Sequence, residues 1–131
     1  MRTPVFLTLA EVIAMHADQI QRYGGQEGVR DFGLLESAIA QPEATYGGAW
    51  LHHDLHEMAA AYAFHLCQNH PFYDGNKRAA LVCALMFLRF NRVASMPDPR
   101  QQLKDAMLNI ASGRMSKQEF AALLRRLARP R

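Results

Sequence analysis

The ten residues from Ala79 to Leu88 are all apolar, and two cations, Lys77 and Arg78, stand directly before them. No other feature restricts the fold as strongly. Leu81, Leu85, Met86 and Leu88 are good helix formers. A helix that is apolar nearly all round belongs at the centre of a bundle. It should begin near Gly75 or Asn76 and run to Phe90, which puts Lys77 and Arg78 in its first turn. Cations are disfavoured there by about 0.3–1 kcal/mol each, because the positive end of the helix dipole attracts anions. A helix opened with the wrong charges is a place to look for function.

The rest of the chain also reads as helices. Thr8-Leu9-Ala10-Glu11 is a capping box, and Val12, Met15 and Ile20 continue from it as an apolar stripe that ends at Tyr23-Gly24-Gly25. A polar loop from Gln26 to Asp31 leads to a short helix over 33–40, stopped by Pro42. Tyr46-Gly47-Gly48 marks another loop. Asp54-Leu55-His56-Glu57 resembles a second cap, opening a helix through Leu55, Met58, Tyr62 and Leu66. Pro71 biases His70 away from helical dihedrals, so this helix ends near Asn69. Beyond Asn91-Arg92, a Pro97-Asp98-Pro99 break precedes a helix over 100–111 that ends at Ser112-Gly113. Ser116-Lys117-Gln118-Glu119 is a third capping sequence, before Phe120, Leu123, Leu124 and Leu127. Short extended pieces are expected only at 4–7 and 92–96. The expected fold is all-α, a single-domain bundle of about six helices over 1–131 with a central buried helix, and without repeats.

At 131 residues, half of them apolar, the chain can bury a core without disulfides or metal. Cys67 and Cys83 lack CxxC spacing and read as buried thiols in a reducing compartment. The N-terminus has no signal-peptide pattern. The longest apolar run is about half of the roughly 20 residues that a membrane span requires. A soluble, cytoplasmic protein is expected, with no membrane partner. The net charge of +3 is uneven. From Arg100 onward stand Arg100, Lys104, Arg114, Lys117, Arg125, Arg126, Arg129 and Arg131 against only Asp105 and Glu119. Such a region could meet nucleic acid or an acidic partner. A solvated helix face with a basic tail is the simpler reading, so direct nucleic-acid binding is not expected.

His70 to Arg78 gathers an imidazole, a carboxylate, a glycine, an amide and two cations between two helices. The unpaired N–H groups at the start of the second helix form an anion site, which Gly75 leaves open to close approach. Lys77 and Arg78 become favourable around a bound polyphosphate. Asp74 would repel phosphate, but it could hold Mg²⁺ bridging to the phosphates. His70, with an ordinary pKa of ~6.5, suits the general base for a hydroxyl attacking phosphorus. Phe72 would anchor the loop to the core. These are the parts that phosphoryl or nucleotidyl transfer requires. The bland alternative is an Asp-Gly turn, with Asp74 as a helix cap and His70 as a polar loop residue.

The run His70-Pro71-Phe72-Tyr73-Asp74-Gly75-Asn76-Lys77-Arg78 resembles the signature of the Fic/Doc superfamily. The Fic pattern reads HPFx(D/E)GNGRxxR. Lys77 stands in place of its second glycine and Leu81 in place of its last arginine. Both departures match the Doc (death-on-curing) branch, whose pattern reads HxFx(D/N)xNKR. "YGGQEGVRDFGLLESAIAQP" and "ALMFLRFNR" extend the resemblance over nearly the whole chain. It implies an all-α Fic/Doc-like domain with ATP and Mg²⁺ as cofactors. It implies His70 as activator of a target hydroxyl, Asp74 as the Mg²⁺ ligand, Gly75, Asn76 and Lys77 as the phosphate cradle, and Arg78 as a charge clamp. Fic proteins transfer AMP. Doc-like toxins bind ATP in the reverse sense and transfer its γ-phosphate, with a threonine of elongation factor Tu as the target. A lysine at 77 offers a steric reason, since the Fic glycine lets the α-phosphate approach the backbone. Many Fic proteins carry an inhibitory (S/T)xxxE(G/N) helix, but no Ser or Thr here has Glu four residues later. The resemblance then implies restraint by a cognate antitoxin, whose disordered tail folds on binding.

Other residues invite weaker readings. His52, His53, His56 and His65 suggest a metal, but Ala60 stands where HExxH needs its second histidine, and a solvated loop cluster is the expectation. Met58, Met86 and Met107 read as core filling. Arg30 and Asp31, with the glycines before them, read equally as a target-docking loop facing the active site or as an ordinary helix cap beside an exposed arginine. Glu36 reads as helix surface. Tyr46 and Trp50 could line a binding surface, though a lone Trp is more often core. Two rival functions remain in other classes. A toxin ribonuclease would use His70 and Lys77 but lacks a second acid, and Asp74 would repel its substrate. A non-catalytic module for antitoxin or DNA-complex assembly has no need of an intact motif.

Overall fold

The computed structural model describes residues 3–93 and 100–128. Among the described residues there are six α-helices: α1 (Leu9–Tyr23), α2 (Phe32–Ala40), α3 (Leu55–Asn69), α4 (Asn76–Phe90), α5 (Arg100–Ala111) and α6 (Lys117–Leu127). A 3-10 turn (Gln41–Glu43) and a hairpin of β1 (Thr45–Tyr46) and β2 (Ala49–Trp50) join α2 to α3. The all-α bundle expected from the sequence is what forms.

The helix starts follow their local chemistry. Thr8 and Ser116 head reciprocal capping boxes with Glu11 and Glu119. Asp54 accepts from the Glu57 N–H at 2.8 Å, and Asp31 from the Leu34 N–H at 2.9 Å. The Asp31 cap starts α2 at Phe32, one residue before the expected position. In α1 the buried residues are Val12, His16 and Ile20, so the inward stripe carries a histidine while Met15 is only half-buried. The loop expected at 46–48 is a tight hairpin. Gly47 (φ 59°) and Gly48 (φ 81°) supply the two positive φ values that a two-residue hairpin of this kind requires.

Residues 4–7 form no strand. Val5 instead exchanges two hydrogen bonds with the Asn91 side chain, N–H to Oδ1 at 2.8 Å and Nδ2 to carbonyl at 3.0 Å. An amide thus serves this segment where a second strand would have. Of the extended piece expected at 92–96, and of the Pro97-Asp98-Pro99 break, residues 94–99 lie outside the described residues, as does the basic tail at 129–131.

The centre is shared by α3 and α4. Helix α3 packs against α2, α4, α5 and α6, and α4 against α1, α3 and α5. Ala59, Ala60, Ala61 and Ala63 are fully buried, and their small size lets α3 take neighbours on several sides. On α4, Leu81, Val82, Leu85 and Met86 are half-buried, so one flank reaches the surface. Met86 therefore stands apart from Met58 and Met107, which are core residues. Phe72, Phe87, Tyr62 and Phe120 are fully buried, each worth roughly 1.5–3 kcal/mol of transfer from water. No helix among the described residues is long and apolar enough to cross a membrane. Cys67 and Cys83 are buried free thiols, and burial raises the pKa of both.

Candidate active site

Between α3 and α4 the chain turns within six residues, and that turn is held from inside. His70 ends α3 in the left-handed region (φ 51°, ψ 53°). Pro71 and Phe72 are buried. Asn76 is turned inward, 6 % exposed, where its Oδ1 accepts from the Phe72 N–H and its Nδ2 donates to the Phe72 carbonyl, both at 2.9 Å. The Asn76 side chain therefore belongs to the loop's scaffold, and what it can offer an anion is its backbone N–H.

Gly75, at φ 72°, is the N-cap of α4 and provides no side-chain cap. The first intrahelical bond closes from the Ala79 N–H to the Gly75 carbonyl at 2.9 Å. The N–H groups of Asn76, Lys77 and Arg78 thus have no acceptor within the helix and point out of its positive end. They face a cavity of about 180 Å³ lined by His70, Asp74, Gly75, Asn76, Lys77 and Arg78. His70, Asp74 and Lys77 are exposed there, and Arg78 is half-buried.

Asp74 is fixed by three contacts. Its carboxylate accepts from the Gln26 N–H at 3.1 Å and the Gly75 N–H at 3.2 Å. Its carbonyl accepts from His16 Nε2 at 2.8 Å. A carbonyl can only accept, so His16 carries a proton on Nε2. The Gln26 and Gly75 N–H groups, with the Arg78 charge beyond, hold the Asp74 carboxyl below the usual carboxylate range. An ionised, exposed carboxylate with lone pairs to spare fits the single ligand through which Mg²⁺ is often held beside substrate phosphates.

Arg78 is directed partly away from the cavity. Its Nη2 donates to the Gly24 carbonyl at 2.9 Å, and Nη1 lies 3.5 Å from the Gln19 carbonyl. A cation at the carbonyl end of α1 is favourable, so its odd position in α4 has a structural reason as well. Gly75 is packed over it: a Cβ at 75 would stand 3.1 Å from Arg78 Nη2 and from Ile20 Cδ1.

The Arg30–Asp31 pair lies beside the loop with both side chains engaged. Asp31 caps α2, and Arg30 donates to the backbone carbonyls of His70 (2.8 Å) and Asn69 (3.2 Å). Residues 28–31 run alongside 71–73, with a bridge between Val29 and Phe72.

Sequence reasoning did not single out His16 or Gln26 as parts of this site, and it placed Gly25 only among the glycines of a loop facing it. His16 lies flat on Phe72 and donates to Asp74. Its signal was the spacing 12, 16, 20, which places it on the buried face of α1. Gly25 (φ 121°) permits close approach, since a Cβ there would be 3.0 Å from Asp74 Oδ2. A backbone donor such as Gln26 leaves no residue-type signal.

The other histidines lie apart. His52 is only 5 % exposed, not a solvated loop residue, because its Nε2 turns in to meet Lys117 Nζ at 3.0 Å. His65 Nε2 meets the same ammonium at 3.2 Å. Among the described residues no three His, Cys, Asp or Glu side chains are grouped to hold a metal ion. Glu36 is exposed on α2, Tyr46 is 84 % exposed, and Trp50 packs half-buried against Phe6.

The model of the Fic/DOC family matches residues 6–88, from the approach to α1 through most of α4. "Protein kinase doc" of Escherichia phage P1 is 39 % identical over 117 residues, covering 89 % of this chain and 90 % of its own. "Toxin Doc" of Mycolicibacterium smegmatis is 43 % identical over 76 residues, covering 58 % of each chain. The family match spans α1, which supports Asp74 from below, the 24–31 segment beside the loop, and the His70–Arg78 turn itself, and on that breadth the chain belongs to the Fic/Doc family, within which it stands with the Doc proteins.

Proposed function

We propose that this chain is a Doc-type toxin that transfers the γ-phosphate of ATP to a hydroxyl of a target protein, with elongation factor Tu as the target. The observation that carries this reading is the uncapped N-terminus of α4, opening into one cavity with His70, Asp74 and Lys77. The names of its relatives, a protein kinase and a toxin, support it. A cognate antitoxin is the proposed partner that restrains it, and the chain acts in the cytoplasm.

The chemistry follows from the groups present. The N–H groups of Asn76, Lys77 and Arg78 and the Lys77 ammonium hold phosphate oxygens and stabilise the charge that spreads over them during transfer. Mg²⁺, held by Asp74 together with the triphosphate, would neutralise part of that charge. His70, exposed at the cavity rim, accepts the proton of the target hydroxyl as its oxygen bonds to the γ-phosphorus. The bond from that phosphorus to the β-bridging oxygen breaks, ADP leaves, and His70 returns its proton to solvent. The Lys77 side chain occupies the position where a glycine would admit an α-phosphate, which favours γ- over α-transfer.

The test supplies purified elongation factor Tu with ATP labelled at either the α or the γ position. Label from γ alone, abolished in His70→Ala, is the expected result. Label from α alone would establish nucleotidyl transfer in its place. Growth arrest by His70→Ala equal to that by wild type would favour a binding module, and RNA decay without ATP a nuclease.

A further inference from the structure

Arg30 makes a contact that neither the family signature nor the chemistry above requires. Three consecutive carbonyls, those of Asn69, His70 and Pro71, all accept hydrogen bonds from this one residue. Its guanidinium takes the first two, Nη2 to Asn69 at 3.2 Å and Nε to His70 at 2.8 Å. Its backbone N–H takes the third at 2.7 Å.

The geometry points to Arg30 as the positioning residue for His70. The carbonyls of Asn69 and His70 belong to the two peptide planes that flank the His70 Cα. Pinning both planes fixes φ and ψ of His70, and with them the direction of its Cα–Cβ bond. That restraint matters at this position. His70 is left-handed at φ 51°, a conformation that residues other than glycine hold only when the surroundings impose it. The last carbonyls of α3 are also the negative end of its dipole, so a cation there is favourable. A bidentate guanidinium suits two neighbouring carbonyls, whereas a lysine ammonium offers no planar fork. Arg30 touches no reacting atom. It acts by holding the imidazole over the cavity that receives phosphate.

This inference rests on the proposed phosphotransfer for its kinetic arm, and on His70 itself for its spectroscopic arm. Arg30→Met keeps the aliphatic stem and removes the fork, and Arg30→Lys keeps the charge. With the γ-labelled ATP assay, Arg30→Met should lower kcat by about ten- to a hundredfold, the effect of slight misplacement of a reacting group. KM for ATP should stay within about twofold, because the α4 N-terminus is unaltered. Arg30→Lys should fall between. Histidine-labelled protein, followed by NMR, should show one sharp His70 backbone signal in wild type and a shifted or exchange-broadened one in Arg30→Met, while the His16 signal is unmoved. Wild-type kcat with an unmoved His70 signal in Arg30→Met would overturn the proposal. So would equal changes at His70 and His16, which mark general loosening. If wild type transfers no phosphate at all, the phosphotransfer reading fails, and the His70 signal still decides the role of Arg30.

Discussion

The imidazole of His16 lies parallel to the ring of Phe72, with centroids 3.7 Å apart and planes 4° from coplanar, while its Nε2 reaches the Asp74 carbonyl at 2.8 Å. One buried side chain of α1 thus supports the loop at its apolar anchor and at its acidic residue. His16→Phe keeps a flat ring but removes the donor. It should cost about 1 kcal/mol of stability, the usual net value of one hydrogen bond. His16→Ala should cost more, since the stack and the volume go as well. Urea unfolding midpoints of the two variants separate these contributions, and equal losses would mean that the stack contributes nothing.

Asn76 is the loop's internal fastener. Asn76→Ala leaves both polar groups of a fully buried Phe72 backbone without their partner, which should cost about 1–3 kcal/mol for each group. Asn76→Asp still accepts from the N–H but cannot donate to the carbonyl when ionised, so it should not restore wild-type stability. Thermal unfolding compares the three proteins, and an Asn76→Asp as stable as wild type would contradict the bracket.

Gly24 and Gly25 form a matched pair. Both have positive φ, but a Cβ at 24 meets nothing within 4 Å while one at 25 comes to 3.0 Å from Asp74 Oδ2 and Ile20 Cδ1. Alanine at either should strain the backbone. Only Gly25→Ala should also displace the Asp74 carboxylate. Calorimetric titration of ATP with and without Mg²⁺ is the measurement: the Mg²⁺-dependent part of the affinity should weaken several-fold in Gly25→Ala and hold in Gly24→Ala.

The His52–Lys117–His65 cluster makes stability depend on pH. Burial, aided by the Lys117 charge, pushes the His52 imidazole down and that of His65 down to about 4. Glu57 opposes the shift at His52, and His53 adds to it. Burial lowers Lys117 as well, and His56 beside Asp54 and Arg125. In the unfolded chain these histidines titrate near ~6.5. Between that pH and about 4 the unfolded chain binds more protons than the folded one, so stability falls as the pH drops through this window and is fully present above it. Urea midpoints at pH 7.5 and 5 should show the fall, and His65→Gln should flatten it. A fall of the same size in His65→Gln would place its origin elsewhere.

The parts that were legible in the sequence are those governed by near neighbours. Thr8, Asp54 and Ser116 cap their helices within three residues, and the His70–Arg78 turn carries its helix start and open N–H groups in one continuous run. What escaped notice depends on conformations that residue type alone leaves open, at short range as well as long. Asp31 was open between a docking loop and a cap, and only the α2 start resolves its carboxylate onto the Leu34 N–H. Strands of two residues are too short to show alternation, so the hairpin at 45–50 left only its glycine pair as a sign. Asn76 and Arg78 look like anion ligands from their residue type. The bonds of Asn76 to Phe72 are made within the loop itself, and that of Arg78 to Gly24 comes from the packing of α4 against the end of α1.

The distances along the chain between the turn and its supports carry a further consequence. His16, Gln26 and Arg30 reach it across 58, 48 and 40 residues of sequence. A peptide copied from the turn alone would have none of these props, and a graft into another helical hairpin would present the right letters in the wrong posture. Conversely, cleavage in the hairpin at 45–50 would divide the molecule into one fragment bearing the signature and another bearing its scaffold. Such halves could act only after finding each other again, which makes this fold a natural candidate for a two-piece reporter of association.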